Sequence, residues 1–233
     1  MDTEDKFLKI FTGNQLKIIA LVAMTCDHIG LQLFPQYDIL RIIGRLALPL
    51  FAYMIAEGCR YTKNRKKYLC NILGLGILCQ AVYFVAEQSL YQCILITFSL
   101  SIVLIYVIEH AKEKRTIGSW SIVLVIGLAM WFITAPLPAM LEATTDFAID
   151  YGFWGVVLPV IIYFAPSTYK VLATAIALIP LCLELGNSQW YCLFAVVLLA
   201  LYNGKRGKAN IKTIFYIYYP AHLVCIYLIG MLI

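Results

Sequence analysis

The chain has 233 residues, 62% hydrophobic and 13% charged, with a net charge of +5 and a mean hydropathy of +0.84. That balance leaves too little polar surface for a soluble domain of this size. It also excludes a nucleic-acid binder, because the cations fall in short loops between apolar runs rather than on one basic face.

The N-terminal stretch "MDTEDKFLKIFTGN" is acidic and lacks the basic n-region and cleavage site of a signal peptide, so the first apolar run is expected in the mature protein. The following apolar runs approach 20 residues without alternating, which predicts helices and not barrel strands. The expected fold is an all-α integral membrane bundle forming one domain, 1–233. Nine spans are predicted: 15–34, 39–57, 69–87, 90–108, 120–138, 151–165, 169–184, 188–203 and 212–232. Pro136 and Pro138 are expected to end the fifth, because proline removes a helix donor. The sixth and seventh are short and meet at "FAPSTYK". The segment 134–152 reads either as a docking place for a partner or as a plain connector.

A cytoplasmic N-terminus puts "GCRYTKNRKK", "EHAKEKRTIGS", "APSTYK" with Lys170, and "YNGKRGKANIK" on the inner side. Asp38, Glu87, Glu142, Asp146, Asp150 and Glu184 then face outward, and the outer loops carry no Lys or Arg. This asymmetry predicts an N-terminus inside and a C-terminus outside the cell membrane. The eight cysteines form no CxxC pair and read as buried apolar thiols, so no metal site is expected.

Topology leaves a short set of ionisable residues within the spans: Lys17, Asp27, His28, Arg41, Arg45, Glu57 and His222. Each costs roughly 2.5–3.5 kcal/mol near the bilayer centre, so something must offset it. Lys17 and Glu57 lie near inner ends and can snorkel. Asp27 and His28 lie about 20 Å along the first helix. Arg41 and Arg45, one turn apart, begin the second helix at the same depth, across the four-residue turn "PQYD". The carboxylate of Asp27 and the imidazole of His28 are therefore expected to meet the two guanidiniums, either as a helix clamp or as part of a site. Lys17 and His28 share a face about 16 Å apart, roughly the reach of a pantetheine arm. Pro220 is expected to kink the last span beside Tyr219 and His222, which can line a cavity or pack in the core. Gln80 reads as a cavity residue or a helix–helix hydrogen bond.

The blocks "LKIIALVAMTCDHIG", "RIIGRLALPLFAYMIAEGCRYTKNRKKYL", "DYGFWGVVLP" and "YIYYPAHL" resemble the TraX family, in order and over nearly the whole chain. The family's namesake acetylates the N-terminal amine of conjugative pilin. The wider transmembrane acyltransferase group is similar in carrying a basic residue, ten residues and then a histidine on its first span, which Lys17 and His28 match. Arg41 and Arg45 resemble the arginine pair of that group in type and spacing. The family's fourth span commonly opens with an asparagine block, whereas this chain has "YQCILITFSL" with Gln92 nearby.

The resemblance implies an acetyl-CoA-dependent N- or O-acyltransferase, with His28, Asp27 and Arg45 as catalytic candidates. Lys17, Arg41, Glu57, Gln80, Tyr219, His222, Asp150 and Tyr151 are the candidates for binding substrate or donor. The expected partners are acetyl-CoA, membrane lipid and an acceptor amine or hydroxyl on a pilin-like N-terminus, peptide, glycan or small molecule. The alternative is a proton-coupled exporter using the Asp/His/Arg cluster as a relay, although no internal repeat accompanies it. A third reading is an assembly factor whose ion pairs only fix packing.

Overall fold

The structure is a computed structural model that describes residues 9–209 and 211–232. The reading of the N-terminal eight residues falls outside the described part. The helices are α1 (Gly13–Gln32), α2 (Asp38–Gly44), α3 (Ala47–Tyr61), α4 (Arg65–Glu87), α5 (Ile94–Lys114), α6 (Ile117–Thr134), α7 (Pro136–Leu141), α8 (Gly152–Phe164), α9 (Lys170–Leu185), α10 (Phe194–Ala200) and α11 (Lys212–Gly230). Short 3-10 helices, Ser167–Tyr169 and Asn187–Leu193, lead into α9 and α10. Among the described residues there is no strand, only two isolated bridges. The all-α membrane fold expected from the sequence is thus observed.

These helices coincide with the nine predicted spans, but not all are full crossings. Five stretches are long and apolar enough: Asp38–Tyr61, Arg65–Glu87, Ile94–Lys114, Ile117–Leu141 and Ser167–Leu185. Gly152–Phe164 and Asn187–Ala200 are shorter. The 13 residues of α8 rise only about 20 Å against a hydrocarbon core of about 30 Å. The helix boundaries follow local chemistry. Thr12 and Gln15 form a capping box at α1, and Asn64 and Thr116 cap α4 and α6. Pro136 opens α7, and α6 stops at Thr134 as the prolines predict.

The chain divides into two compact units, one of residues 1–54 with 166–233 and one of residues 55–165. In the first unit α1 packs on α2 and α11, and the 3-10 helix Asn187–Leu193 packs on α2 and α9. The start of α1 is tied to the chain that precedes α11: Gly13 N donates to Lys205 O at 2.8 Å and Asn14 N to Arg206 O at 2.9 Å. At the other end, a methyl on Gly230 would lie 3.3 Å from Leu33. Helices α1 and α11 therefore run in the same direction. Lys170, counted above among the inner-loop charges, instead begins α9 and is buried, its Nζ 5.8 Å from the centre of the Tyr53 ring. The ring face stabilises the cation there.

In the second unit α5 is the central helix, packed by α4, α6 and α8. The connector between α7 and α8 folds onto the α4–α5 loop. Gln92 N donates to Ala148 O at 2.7 Å, Asp150 N to Gln92 O at 3.0 Å, and the Ser89 hydroxyl to Asp146 at 2.5 Å. Residues 146–150 are thus a tied connector. Helices α4 and α6 leave most of their apolar surface uncovered, as lipid-facing helices do.

Candidate functional site

The ionisable residues of α1 meet α2 on one side and α11 on the other. The turn "PQYD" brings α2 back against α1, and two glycines permit the approach. A Cβ on Gly30 would sit 2.7 Å from Leu40 Cβ, and one on Gly44 would sit 2.1 Å from Asp27 Oδ1 and 2.3 Å from Asp27 Cβ. No side chain fits at Gly44 without moving Asp27 or the helices.

Asp27 meets both arginines, as the sequence predicts, but unequally. Arg41 Nη1 donates to Asp27 Oδ2 at 2.6 Å, while Arg45 Nη2 stands 3.5 Å from Oδ1. Arg45 Nη1 instead donates to Gln189 Oε1 at 3.1 Å, and its Nε is buried without a hydrogen bond. Arg45 is the more buried of the two side chains, 11% against 28% exposed. Arg41 therefore makes the shorter contact with Asp27, and Arg45 divides its guanidinium between Asp27 and the Gln189 side chain.

His28, adjacent to Asp27 but projecting about 100° away, does not join this ion pair. Its Nδ1 lies 2.8 Å from Nε2 of His222 on α11. His222 Nδ1 in turn lies 3.1 Å from the Tyr218 carbonyl. A carbonyl only accepts, so His222 Nδ1 carries the proton and its Nε2 is the acceptor. His28 then carries its proton on Nδ1, and its Nε2 holds a free lone pair. The pair is packed firmly: His222 is 5% exposed, stacks on Tyr218 and meets the Tyr219 ring edge-on. The Thr25 hydroxyl donates to the Leu21 carbonyl at 2.8 Å and so accepts from the Tyr218 hydroxyl at 2.7 Å. That bond fixes the Tyr218 ring against His222.

Lys17 shares the α11-facing side of α1 with His28, its Nζ 6.0 Å from the centre of the Phe215 ring. The structure thus brings together Asp27, Arg41 and Arg45 on one side of α1. It brings Lys17, His28, Tyr219 and His222 together at the α1–α11 contact. The remaining candidates belong to the second unit. Glu57 is buried on α3. Gln80 donates to the Ser89 carbonyl at 3.3 Å. Asp150 accepts from the Tyr91 hydroxyl at 2.6 Å and, through its carbonyl, from Thr97 at 2.8 Å. Tyr151 caps α8 with a positive φ of 59°. In the described geometry Gln80, Asp150 and Tyr151 hold loops and helix ends.

Sequence reasoning missed Gln189, Tyr218 and Thr25. Gln189 and Cys192 are three residues apart in a 3-10 turn, so they share its buried face, but no periodicity in an apolar run marks such a turn.

The chain is similar to known proteins. A family model described as TraX protein matches residues 12–230. A protein of Dichelobacter nodosus described as a probable fimbrial assembly protein, FimC, is 27% identical, over 91% of this chain and 93% of its own. An uncharacterized protein of Rickettsia prowazekii is 31% identical over 59% of this chain and 49% of its own. The TraX protein of Escherichia coli is 28% identical over 50% of this chain and 46% of its own. No solved structure matches. With the family match covering nearly all of the described residues, the chain belongs to the TraX family.

Proposed function

We propose that this protein is a membrane-embedded acyltransferase of the cytoplasmic membrane that moves an acetyl group from cytoplasmic acetyl-CoA to an amine or hydroxyl acceptor presented at the outer side. The observation that carries the reading is the hydrogen-bond chain from the Tyr218 carbonyl through His222 to His28, which leaves the His28 Nε2 lone pair as a base. A second support is the charge of the neighbouring cluster. Two guanidiniums share one carboxylate, so the cluster keeps a net positive charge, and the Arg45 Nε–H is unengaged. The fimbrial-assembly description of one relative favours a pilin-like subunit as acceptor.

In the proposed reaction His28 Nε2 removes the proton from the acceptor N–H or O–H as the heteroatom bonds to the thioester carbonyl carbon. The carbonyl oxygen becomes an oxyanion, which Arg45 stabilises. Collapse breaks the carbon–sulfur bond, and the CoA thiolate takes the proton back from His28 Nε2. His222 holds the His28 tautomer throughout, and Asp27 limits the cost of two buried cations. Lys17 and the basic loops supply the attraction for the donor's phosphates.

The test is incubation of purified protein with radiolabelled acetyl-CoA, following label transfer to a pilin-like peptide and release of free CoA thiol. Transfer by wild type that disappears in His28→Ala supports the reading. A folded wild type that neither transfers nor hydrolyses the thioester overturns it.

A further inference from the structure

Gln189 is 1% exposed, on a turn face shared with Cys192 and Ala195, which are 0% exposed. Burying an unpaired amide is costly, so its presence there needs a partner. Its side-chain oxygen accepts from Arg45 Nη1 at 3.1 Å, which also fixes the amide orientation. The turn itself is held by local contacts. Gly186, with a φ of 87°, ends α9; Gln189 N then donates to the Gly186 carbonyl at 3.1 Å. The Cys182 thiol donates to the Gln189 carbonyl at 3.6 Å. Gln189 therefore reaches Arg45 from a fixed backbone.

The chemistry of this partner matters more than its presence. Arg41 donates to the Asp27 carboxylate at 2.6 Å, whereas Arg45 stands 3.5 Å from that shared carboxylate and donates to a neutral amide at 3.1 Å. A glutamate at 189 would orient Arg45 equally well but would cancel its charge. A neutral acceptor is the group that aims a guanidinium while leaving its charge for something else. We infer that Gln189 is a positioning residue that orients Arg45, without neutralising it, toward the oxygen of the transferred acyl group.

The inference rests on the acyl-transfer reading above and is tested by a double-mutant cycle on turnover. Gln189→Leu removes the acceptor, and Gln189→Glu keeps it but adds a charge. Each is combined with Arg45→Gln, and residual turnover is read with radiolabelled acetyl-CoA. In the Arg45 background each change is expected to lower kcat by about 10–100-fold, the scale of a misplaced catalytic group. KM for acetyl-CoA should stay within about twofold, because the effect is confined to the transition state. In the Arg45→Gln background neither change should lower kcat further. A residue with only a packing role would instead lower thermal stability in both backgrounds and leave Gln189→Glu active. Losses that multiply across the cycle, or full turnover in Gln189→Glu, would overturn the role of Gln189 while leaving acyl transfer standing. A wild type without turnover would overturn the acyl-transfer reading and this inference together.

Discussion

Asp27 and His28 are neighbours in sequence with different partners, and the distances assign each a different task. Replacing His28 with alanine removes the proposed base, and a loss of about 10²–10⁴-fold in turnover is expected with the protein still inserted and folded. His222→Phe should give a smaller loss, because His28 stays in place but its Nδ1–H loses its acceptor. Turnover measured on both variants decides the order; equal activity of His222→Phe and wild type would remove His222 from the mechanism. Arg45 carries a sharper expectation. Asp27→Asn with Arg45→Gln removes the carboxylate and the more buried guanidinium together and leaves Arg41, the more exposed of the two at 28%, as the one unpaired charge, so the double variant should fold. If Arg45 acts only as a clamp, this variant stays active. If it stabilises the oxyanion, acetyl-CoA binding persists by calorimetry while turnover falls by about 10²–10³-fold, which is the outcome expected here. Gly44→Ala probes the same place sterically. Its methyl would stand 2.1 Å from Asp27 Oδ1, so turnover and thermal stability should both fall, whereas Gly127→Ala, with open space around it, should leave both unchanged.

At the scale of elements, α1 carries the candidate site, and its two neighbours were not equally visible. Its contact with α2 follows from a four-residue turn, so the meeting of Asp27 with Arg41 and Arg45 was legible in the sequence. Its contact with α11 joins residues 194 apart, and the Arg45–Gln189 contact joins residues 144 apart. Nothing in the apolar pattern selects those neighbours, because lipid and a packed helix are nearly the same environment for an apolar side chain. The connector before α8 makes a separate prediction. The Ser89 hydroxyl first, and then the Leu90 N–H, hold the Asp146 carboxyl below the usual carboxylate range. Its folded value thus lies below its unfolded value of about 3.9. The stabilisation is complete above that value and is lost as pH falls through the lower, folded one. Thermal unfolding in detergent should show wild type more stable than Asp146→Asn near neutral pH, with the difference closing in acid. A difference independent of pH would mean that the carboxylate charge is irrelevant there.

At the scale of the whole molecule, α1 and α11 run in the same direction, so Lys208, which precedes α11, lies at the end where α1 begins. A cysteine at Lys208 should accordingly react with an impermeant reagent only from the cytoplasmic side, and one at Asp146 only from outside, in a background without the native cysteines. Reversed labelling would exchange the donor and acceptor sides. By itself the sequence determined the all-α membrane fold, the order and approximate extent of the helices and the Asp27–arginine cluster. These depend on composition, on capping and proline chemistry, and on contacts across one short turn, all of which are local. Only the tertiary structure decided that α8 is too short for a full crossing, that Lys170 is buried against Tyr53, and that His28 pairs with His222. It alone also showed that Arg45, besides its ion pair with Asp27, donates to Gln189. The physical reason is the same in each case: which helices become neighbours is set by side-chain packing and polar contacts between distant segments, and hydropathy along one segment does not encode its partner.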